Sequence, residues 1–395
     1  MARRAGAPSA VVLLGTALVF AIGLAGWALW QRAGVDARGH AGFETPATLA
    51  AVINLVLLPG LVVLASSRRN LWLARSEVIQ AAGLIVAASR GGRLSFAAGL
   101  LACSLFARRA KLPVDFRAIA AVVALGWALS WLVPMAWDLL PGGVFGTSMS
   151  VAGHPSQPGH SMLGADAVQS SVGRLGLYEL ALQEILAAPP LTGHGYLSFY
   201  YMMETAREGI ATFGTNTTYF VHNDYLQTLL ELGIPGLLGL LAVAALPLIV
   251  SWRALPRLAG RPVERMIVVA TAAGITTMAT HAVVDFPFYI PVCLLLYGGA
   301  LGMLDSTLAP SYLHGGSAFA QQPRRMRRLV AVACATLVAW ILVVPAAAEL
   351  AAAHANRQWI AADAQPAAYW FEAARRIDPK DWRYHWYAGQ FWFSQ

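Results

Sequence analysis

His222, Asn223, Asp224, Gln227 and Glu231 crowd the entrance of an apolar run at 219–239, Tyr-Phe-Val-His-Asn-Asp-Tyr-Leu-Gln-Thr-Leu-Leu-Glu-Leu-Gly-Ile-Pro-Gly-Leu-Leu-Gly. Imidazole, amide and carboxylate groups gathered in this way can move a proton and orient a polar ligand. Asn223 or Asp224 can cap a helix start, and from there Asn223, Gln227 and Glu231 recur every fourth residue on one helix face. Polar groups within an apolar helix are costly, so that face should meet a wet cavity or a partner rather than lipid. Gly233, Pro235 and Gly236 then loosen the same helix. The plainer reading is a capped helix with a few interhelical hydrogen bonds.

The elements that position this stretch follow from composition. Of the 395 residues, 57% are hydrophobic and 12% charged, against roughly 25% charged in soluble domains. The chain therefore reads as an all-α, polytopic membrane protein. Apolar runs at 11–30, 48–65, 71–89, 94–107, 118–137, 226–250, 266–284, 288–304 and 329–349 supply about nine spans, most of them near the ~20 residues that a bilayer requires. The 94–107 run is short. The first run follows Arg3 and Arg4 but is long for a signal peptide and lacks a clear cleavage site, so it reads as an anchor. Cys103, Cys293 and Cys334 fall inside apolar runs without paired spacing, which excludes a zinc motif and disfavours a disulfide framework.

The net charge of +8 would suggest nucleic acid in a soluble chain, but the basic residues sit in short loops between spans. Topology explains them, and no nucleic-acid partner follows. With nine spans starting inside, Arg3 and Arg4, Arg68, Arg69 and Arg75, Arg108, Arg109, Lys111 and Arg117, Arg253 to Arg265, and Arg324 to Arg328 all lie on the cytoplasmic side. Few basic residues remain outside before the tail, so the asymmetry fixes the orientation and demands that 94–107 cross. The N-terminus is then cytoplasmic and the C-terminus periplasmic. The turn at 87–93, the long loop at 138–221, His222 and Asp285 all emerge on the outer face.

The turn Ala-Ala-Ser-Arg-Gly-Gly-Arg at 87–93 has paired glycines that allow a close backbone approach, with Arg90 and Arg93 at the boundary. A lone arginine there could equally snorkel to the headgroups. The outer loop opens loosely with Pro141, Gly142, Pro155 and Pro158. Val168, Val172, Leu175, Leu182 and Leu186 then predict a helix along the membrane surface, ended by Pro189-Pro190, with Arg174 and Tyr178 one turn apart. Arg174 faces either the site or water. Phe199, Tyr200 and Tyr201 could stack on sugars or form an interfacial belt. Asp285, before Pro287, either orients a basic partner or caps the next span. In the tail, 369–381 followed by 384–390 resembles a junction between tetratricopeptide repeats, and the chain stops in mid-helix. The expected division is a membrane domain at 1–350, containing the 138–221 loop, and a helical periplasmic region from 351 to 395.

Outside the cell membrane there is no supply of nucleotide sugars or ATP, so a transferase there needs a donor that carries its own activation. A lipid-linked diphosphate sugar does. Its leaving group needs little protonation, so the protein must supply cations for the diphosphate and one base for the acceptor hydroxyl. Arginine suits the first task because its planar fork binds phosphate oxygens in pairs. No Asp-x-Asp, Glu-x-Asp or His-Glu-x-x-His arrangement occurs, which argues against a metal. A transporter would use polar intramembrane stripes and broken helices equally well, but the run beyond Gly239 carries no charged or amide side chain as far as 250.

The sequence resembles the O-antigen ligase and polymerase superfamily, which includes bacterial protein O-oligosaccharyltransferases. The resemblance is carried by Gly-Phe-Glu-Thr-Pro-Ala-Thr-Leu-Ala at 42–50, Ser89-Arg90-Gly91, the Arg174 helix, Pro-Leu-Thr-Gly-His-Gly at 190–195, His222-Asn223 with Leu226-Gln227, Glu-Leu-Gly-Ile-Pro-Gly at 231–236, and Asp285-Phe-Pro. It implies a GT-C type, inverting, metal-independent and cofactor-free glycosyltransferase of lipopolysaccharide biosynthesis in the bacterial inner (plasma) membrane. The implied donor is an undecaprenyl-diphosphate-linked glycan; the acceptor would be lipid A–core, a glycan or a protein. Arg90 and Arg174 would clamp the diphosphate and His222 would act as base. Arg93, Asn223, Gln227, Glu231, Asp285 and Tyr178 would complete substrate binding. Members usually carry more N-terminal spans, so the resemblance implies truncation at that end, and the mid-helix stop leads to the same expectation for the C-terminus.

Overall fold

The computed structural model describes residues 7–34, 46–66, 71–138, 165–187, 191–195, 198–200, 202, 220–312, 344, 347–348, 350–359, 363–379 and 382–394. Among these, regular structure is entirely helical: α1 (Ala7–Gly34), α2 (Pro46–Ser66), α3 (Leu71–Val86), α4 (Arg90–Ala110), α5 (Phe116–Asp138), α6 (Ala165–Ala187), α7 (Asp224–Ala254), α8 (Pro262–His281), α9 (Pro291–Tyr312), α10 (Ala364–Ile377) and α11 (Trp382–Ser394). Short 3-10 turns follow α7 at Leu255–Leu258 and precede α9 at Pro287–Tyr289. The expected span at 329–349, the basic clusters at 3–4, 68–69 and 324–328, Cys334 and the loose loop at 139–164 lie outside the described residues.

The centre of the bundle is α2, which packs against α1, α3, α4 and α8. Apart from Asn54 it is apolar all round, from Leu49 through Val62, and almost wholly buried. A helix without a polar face can be stable only in that position. Small residues let its neighbours close in, as membrane helices generally require. At Gly99 of α4 an added Cβ would stand 2.2 Å from Leu58 Cδ1 and 2.4 Å from Thr277 Cγ2. This contact binds α4 between α2 and α8 despite its low overall apolarity.

Four helices are long and apolar enough to cross a membrane by length and composition, within Pro46–Ser66, Phe116–Val133, Asp224–Leu258 and Pro291–Leu308. Among the described residues, the other expected spans do not meet that measure. The run at 94–107 is part of a 21-residue helix, α4, which is about 31 Å long at 1.5 Å per residue. Arg90 at its start and Arg108 and Arg109 in its last turn lengthen it beyond the apolar stretch. Ser89 caps it by accepting from Gly92 N at 3.0 Å, and Lys111 ends it in a left-handed conformation.

The helix predicted in the outer loop is present as α6, but the packed face differs from the expected stripe. Leu175, Leu182 and Leu186 are exposed, while Leu177, Ala181 and Ile185 are buried against Val221, Leu230 and Phe199. Apolar residues occupy both sides of α6, so periodicity alone cannot choose between them. Phe199 is fully buried in this cluster and serves as core; Tyr201 lies outside the described residues. In the tail, α10 and α11 pair, with Phe371 and Phe391 stacked at a tilt, 5.4 Å between centroids.

Candidate functional site

α7 begins as its sequence requires. Asn223 is extended, and its Oδ1 accepts from Leu226 N at 3.0 Å, satisfying one of the amides that a helix start leaves open. Asp224 is fully buried, with Oδ2 accepting from Phe288 N at 2.8 Å and its own N–H donating to Ala282 O at 2.8 Å. These bonds tie the entrance of α7 to the segment that follows α8.

The polar stripe finds partners inside the protein. Gln227 Oε1 accepts from Val221 N at 3.0 Å, Gln227 Nε2 donates to Glu231 Oε1 at 3.0 Å, and Tyr289 Oη donates to Glu231 Oε2 at 2.8 Å. Both Gln227 and Glu231 are fully buried. They brace the residues on either side of His222.

Immediately beyond, α7 breaks. Gly233 has φ 68° and ψ −165°, a conformation essentially reserved to glycine. Pro235 has no N–H to return to Glu231 O. The carbonyls of Leu230 and Glu231 instead accept from His194 N and Gly195 N, both at 2.9 Å. Thus the Gly-His-Gly motif of the outer loop closes the gap that the Gly-Ile-Pro-Gly motif opens. Gly193, at φ 69°, comes so close that a Cβ would stand 2.3 Å from Glu231 O. Gly193→Ala is therefore expected to lower the melting midpoint clearly, since the left-handed backbone costs an alanine about 1–2 kcal/mol before any clash. Gly239→Ala, where an added Cβ meets nothing within 4 Å, is the control expected to melt like wild type.

His222 is held in a left-handed conformation, φ 60°, which is uncommon for a residue with a Cβ and concentrates at functional sites. Several contacts impose it. Tyr178 Oη donates to His222 O at 2.9 Å, His222 Nδ1 lies 3.0 Å from Asp285 Oδ1, and the ring meets Phe286 edge-on at 4.9 Å. Phe286 is stacked in turn on Phe220 at 4.2 Å. Burial pushes the Tyr178 hydroxyl above its ordinary range, with Arg174 opposing and Asp285 adding to the rise, so it remains a donor.

Asp285 is 3% exposed. Burial would raise its pKa, but the hydrogen bonds with His222 and His281 prevail and hold the carboxyl well below the usual carboxylate range. Being ionised, it only accepts, so the proton between it and His222 resides on Nδ1 and the lone pair on Nε2. The second imidazole, His281, sits 3.5 Å from Asp285 Oδ2 and is 1% exposed.

The arginines converge on the same turn. Arg174 Nη1 donates to Val284 O at 3.0 Å. Next to Arg90, a Cβ on Gly91 would stand 2.8 Å from Val284 Cγ2 and 3.6 Å from His281 Nε2, so the first turn of α4 lies against the segment 281–284. Arg90 and Arg93 are exposed there, Arg174 is half-buried and His222 is 18% exposed. Arg90, Arg174, Tyr178, His222 and Asp285 thus border one region, with Arg93 on the same first turn of α4; Gln227 and Glu231 stand behind it and Asn223 caps the helix beside it. Sequence reasoning missed His281, Phe286 and Tyr289. The His-x-x-x-Asp spacing at 281–285 was the available signal for the first of these.

The fold is that of an all-α, multi-pass membrane protein. A family model described as O-antigen ligase matches residues 76–241, so this part of the chain is similar to the family that its motifs resemble. The match takes in Ser89-Arg90-Gly91, the Arg174 helix, the 190–195 turn, His222-Asn223 and the 231–236 motif, whereas 42–50 and Asp285-Phe-Pro lie outside it. Comparison with curated proteins and with solved structures yields no match. The similarity points to a glycosyltransferase of the ligase or polymerase type.

Proposed function

We propose that this protein transfers a glycan from an undecaprenyl-diphosphate carrier to an acceptor hydroxyl on the periplasmic face of the inner membrane, without a metal and with inversion at the anomeric carbon. The observation that carries the reading is the convergence of Arg90, Arg174 and His222 on the 281–285 turn, with Asp285 gripping Nδ1 of His222 at 3.0 Å. His222 Nε2 takes the proton of the acceptor hydroxyl as its oxygen attacks the anomeric carbon. The bond from that carbon to the diphosphate oxygen breaks, and undecaprenyl diphosphate leaves with the electron pair. Arg90 and Arg174 hold the diphosphate, with Arg93 beside them, and neutralise the charge that grows on its bridging oxygen. Tyr178 and Asp285 keep the base aligned. Asn223, Gln227 and Glu231 shape the floor of the site.

Among acceptors we favour lipid A–core. A glycan acceptor would make the enzyme a polymerase and a protein acceptor an O-oligosaccharyltransferase, since all share the clamp and base. The experiment is deletion of the gene followed by analysis of surface glycans. Loss of polymer from lipid A–core is expected. Shortened chains would instead indicate polymerisation, and intact surface glycans with an unglycosylated periplasmic protein would indicate protein transfer. Flux of substrate into vesicles independent of any lipid-linked glycan would favour a transporter and overturn the reading. The α10–α11 pair belongs, in the same proposal, to a periplasmic tetratricopeptide-like region from 351 to 395 that engages the acceptor or assists assembly.

A further inference from the structure

Three polar side chains buried in different helices lead to the back of Asp285. His281 ends α8, and its Nδ1 is 3.2 Å from Ser95 Oγ of α4. Ser95 and Asn54, the latter in the middle of α2, are both fully buried. Asn54 Nδ2 donates to Ser95 Oγ at 2.9 Å and to Gly92 O at 2.8 Å. Ser95 Oγ also lies 2.9 Å from Gly92 O.

The ionised Asp285 can only accept, so His281 must direct its Nε2–H at Oδ2; the 3.5 Å separation makes this an electrostatic contact more than a full hydrogen bond. Its other ring nitrogen, Nδ1, meets the Ser95 hydroxyl at 3.2 Å. Ser95 Oγ accepts from Asn54 Nδ2 and donates to Gly92 O, which also accepts from Asn54, and the same Ser95 oxygen faces His281 Nδ1. His222 approaches Oδ1 from the opposite side at 3.0 Å. An imidazole nitrogen thus faces each oxygen of the carboxylate, one of them at hydrogen-bond distance.

We propose that His281 is a positioning residue for the transfer reaction: through the Asn54–Ser95–His281 chain it locks Asp285, and so fixes the imidazole of His222. This rests on the assignment of His222 as base. A leucine would fill the space without burying a polar group that demands two further polar partners from neighbouring helices. Holding α4 to α8 does not by itself call for a buried polar chain that ends on the carboxylate of Asp285.

The test uses the full chain in native membranes, with an undecaprenyl-diphosphate-linked oligosaccharide as donor probe. His281→Leu is expected to lower kcat about tenfold to a hundredfold, the size of a small misalignment of a reacting group, with KM for the donor nearly unchanged. His281→Gln, whose amide can still donate to Asp285, should recover most of the loss. Combining His281→Leu with Asp285→Asn should lose no more than Asp285→Asn alone. Wild-type kcat in His281→Leu, multiplied losses in the double variant, or a His281→Gln protein as poor as His281→Leu would each overturn the proposal. A second readout is the melting midpoint of purified protein in detergent, where Ser95→Ala and His281→Gln should be non-additive and strict additivity would count against the chain. If wild type transfers nothing while the melting effects remain coupled, the transferase reading fails and the chain stands. An active wild type with additive effects in both readouts has the reverse meaning.

Discussion

Replacing His222 with alanine is expected to reduce glycan transfer by about 10²–10⁴-fold, the usual worth of a positioned general base, at unchanged expression. The sugar–diphosphate bond has a good leaving group, so the difficulty of the reaction lies in the acceptor, whose hydroxyl is a poor nucleophile until its proton is removed. His222 is the imidazole that combines partial exposure, 18%, with a carboxylate on Nδ1 at 3.0 Å. Donor binding by the arginines should survive, so KM for the donor should move little while kcat collapses. Arg174→Ala is expected to behave differently: the diphosphate charge is met in the ground state as well as in the transition state, so both constants should worsen. Transfer assayed in membranes with a lipid-linked glycan checks both, and a His222→Ala enzyme of wild-type kcat would remove the base from the mechanism.

Asp285→Asn should cost nearly as much, although the change is only a carboxylate oxygen for an amide. Both carboxylate oxygens face imidazole nitrogens, at 3.0 Å for His222 and 3.5 Å for His281. An asparagine offers one acceptor and one donor, so one of the two rings must reverse its tautomer. If His222 reverses, its proton moves to Nε2 and the base is lost. A loss on the order of 10²–10⁴ in kcat is expected where an orienting carboxylate is neutralised in this way.

The same residue makes a statement about pH. Its carboxyl is held below the unfolded value of about 3.9, so its stabilising effect is complete above that pH and fades as pH falls towards the folded value. The melting advantage of wild type over Asp285→Asn should therefore be level through neutrality and shrink only below about pH 4. An advantage that declines between about pH 5 and 8 would contradict the assignment.

Much of this arrangement was legible locally. Composition declares an all-helical membrane chain, and Asn223 followed by Gln227 and Glu231 declares a capped helix with one polar face. Long-range chemistry was not legible. The partners of that face are Val221 and Tyr289, and the latter lies in a 3-10 turn that the sequence presents only as an aromatic between prolines. Asn54, Ser95 and His281 come from three helices, and each taken alone is an unremarkable polar residue in an apolar run. α6 shows the limit of periodicity: with leucines on both sides, the face that packs is chosen by Val221, Leu230 and Phe199, residues distant in sequence. The arginines could be named from their types, whereas the bond from Arg174 to Val284 O could not.

The break in α7 bears on the order in which the protein is made. The carbonyls of Leu230 and Glu231 accept from His194 N and Gly195 N rather than from the helix itself, and in hydrocarbon such groups cannot be left bare. The turn that covers them is synthesised first. On the proposed topology it already waits on the far side of the membrane when α7 emerges from the ribosome. Until the two meet, the helix presents naked carbonyls at the bilayer surface, a defect that quality-control proteases and insertion chaperones can read. Lesions in 191–195 should thus be felt as poor accumulation of newly made chains before they are felt as slow transfer.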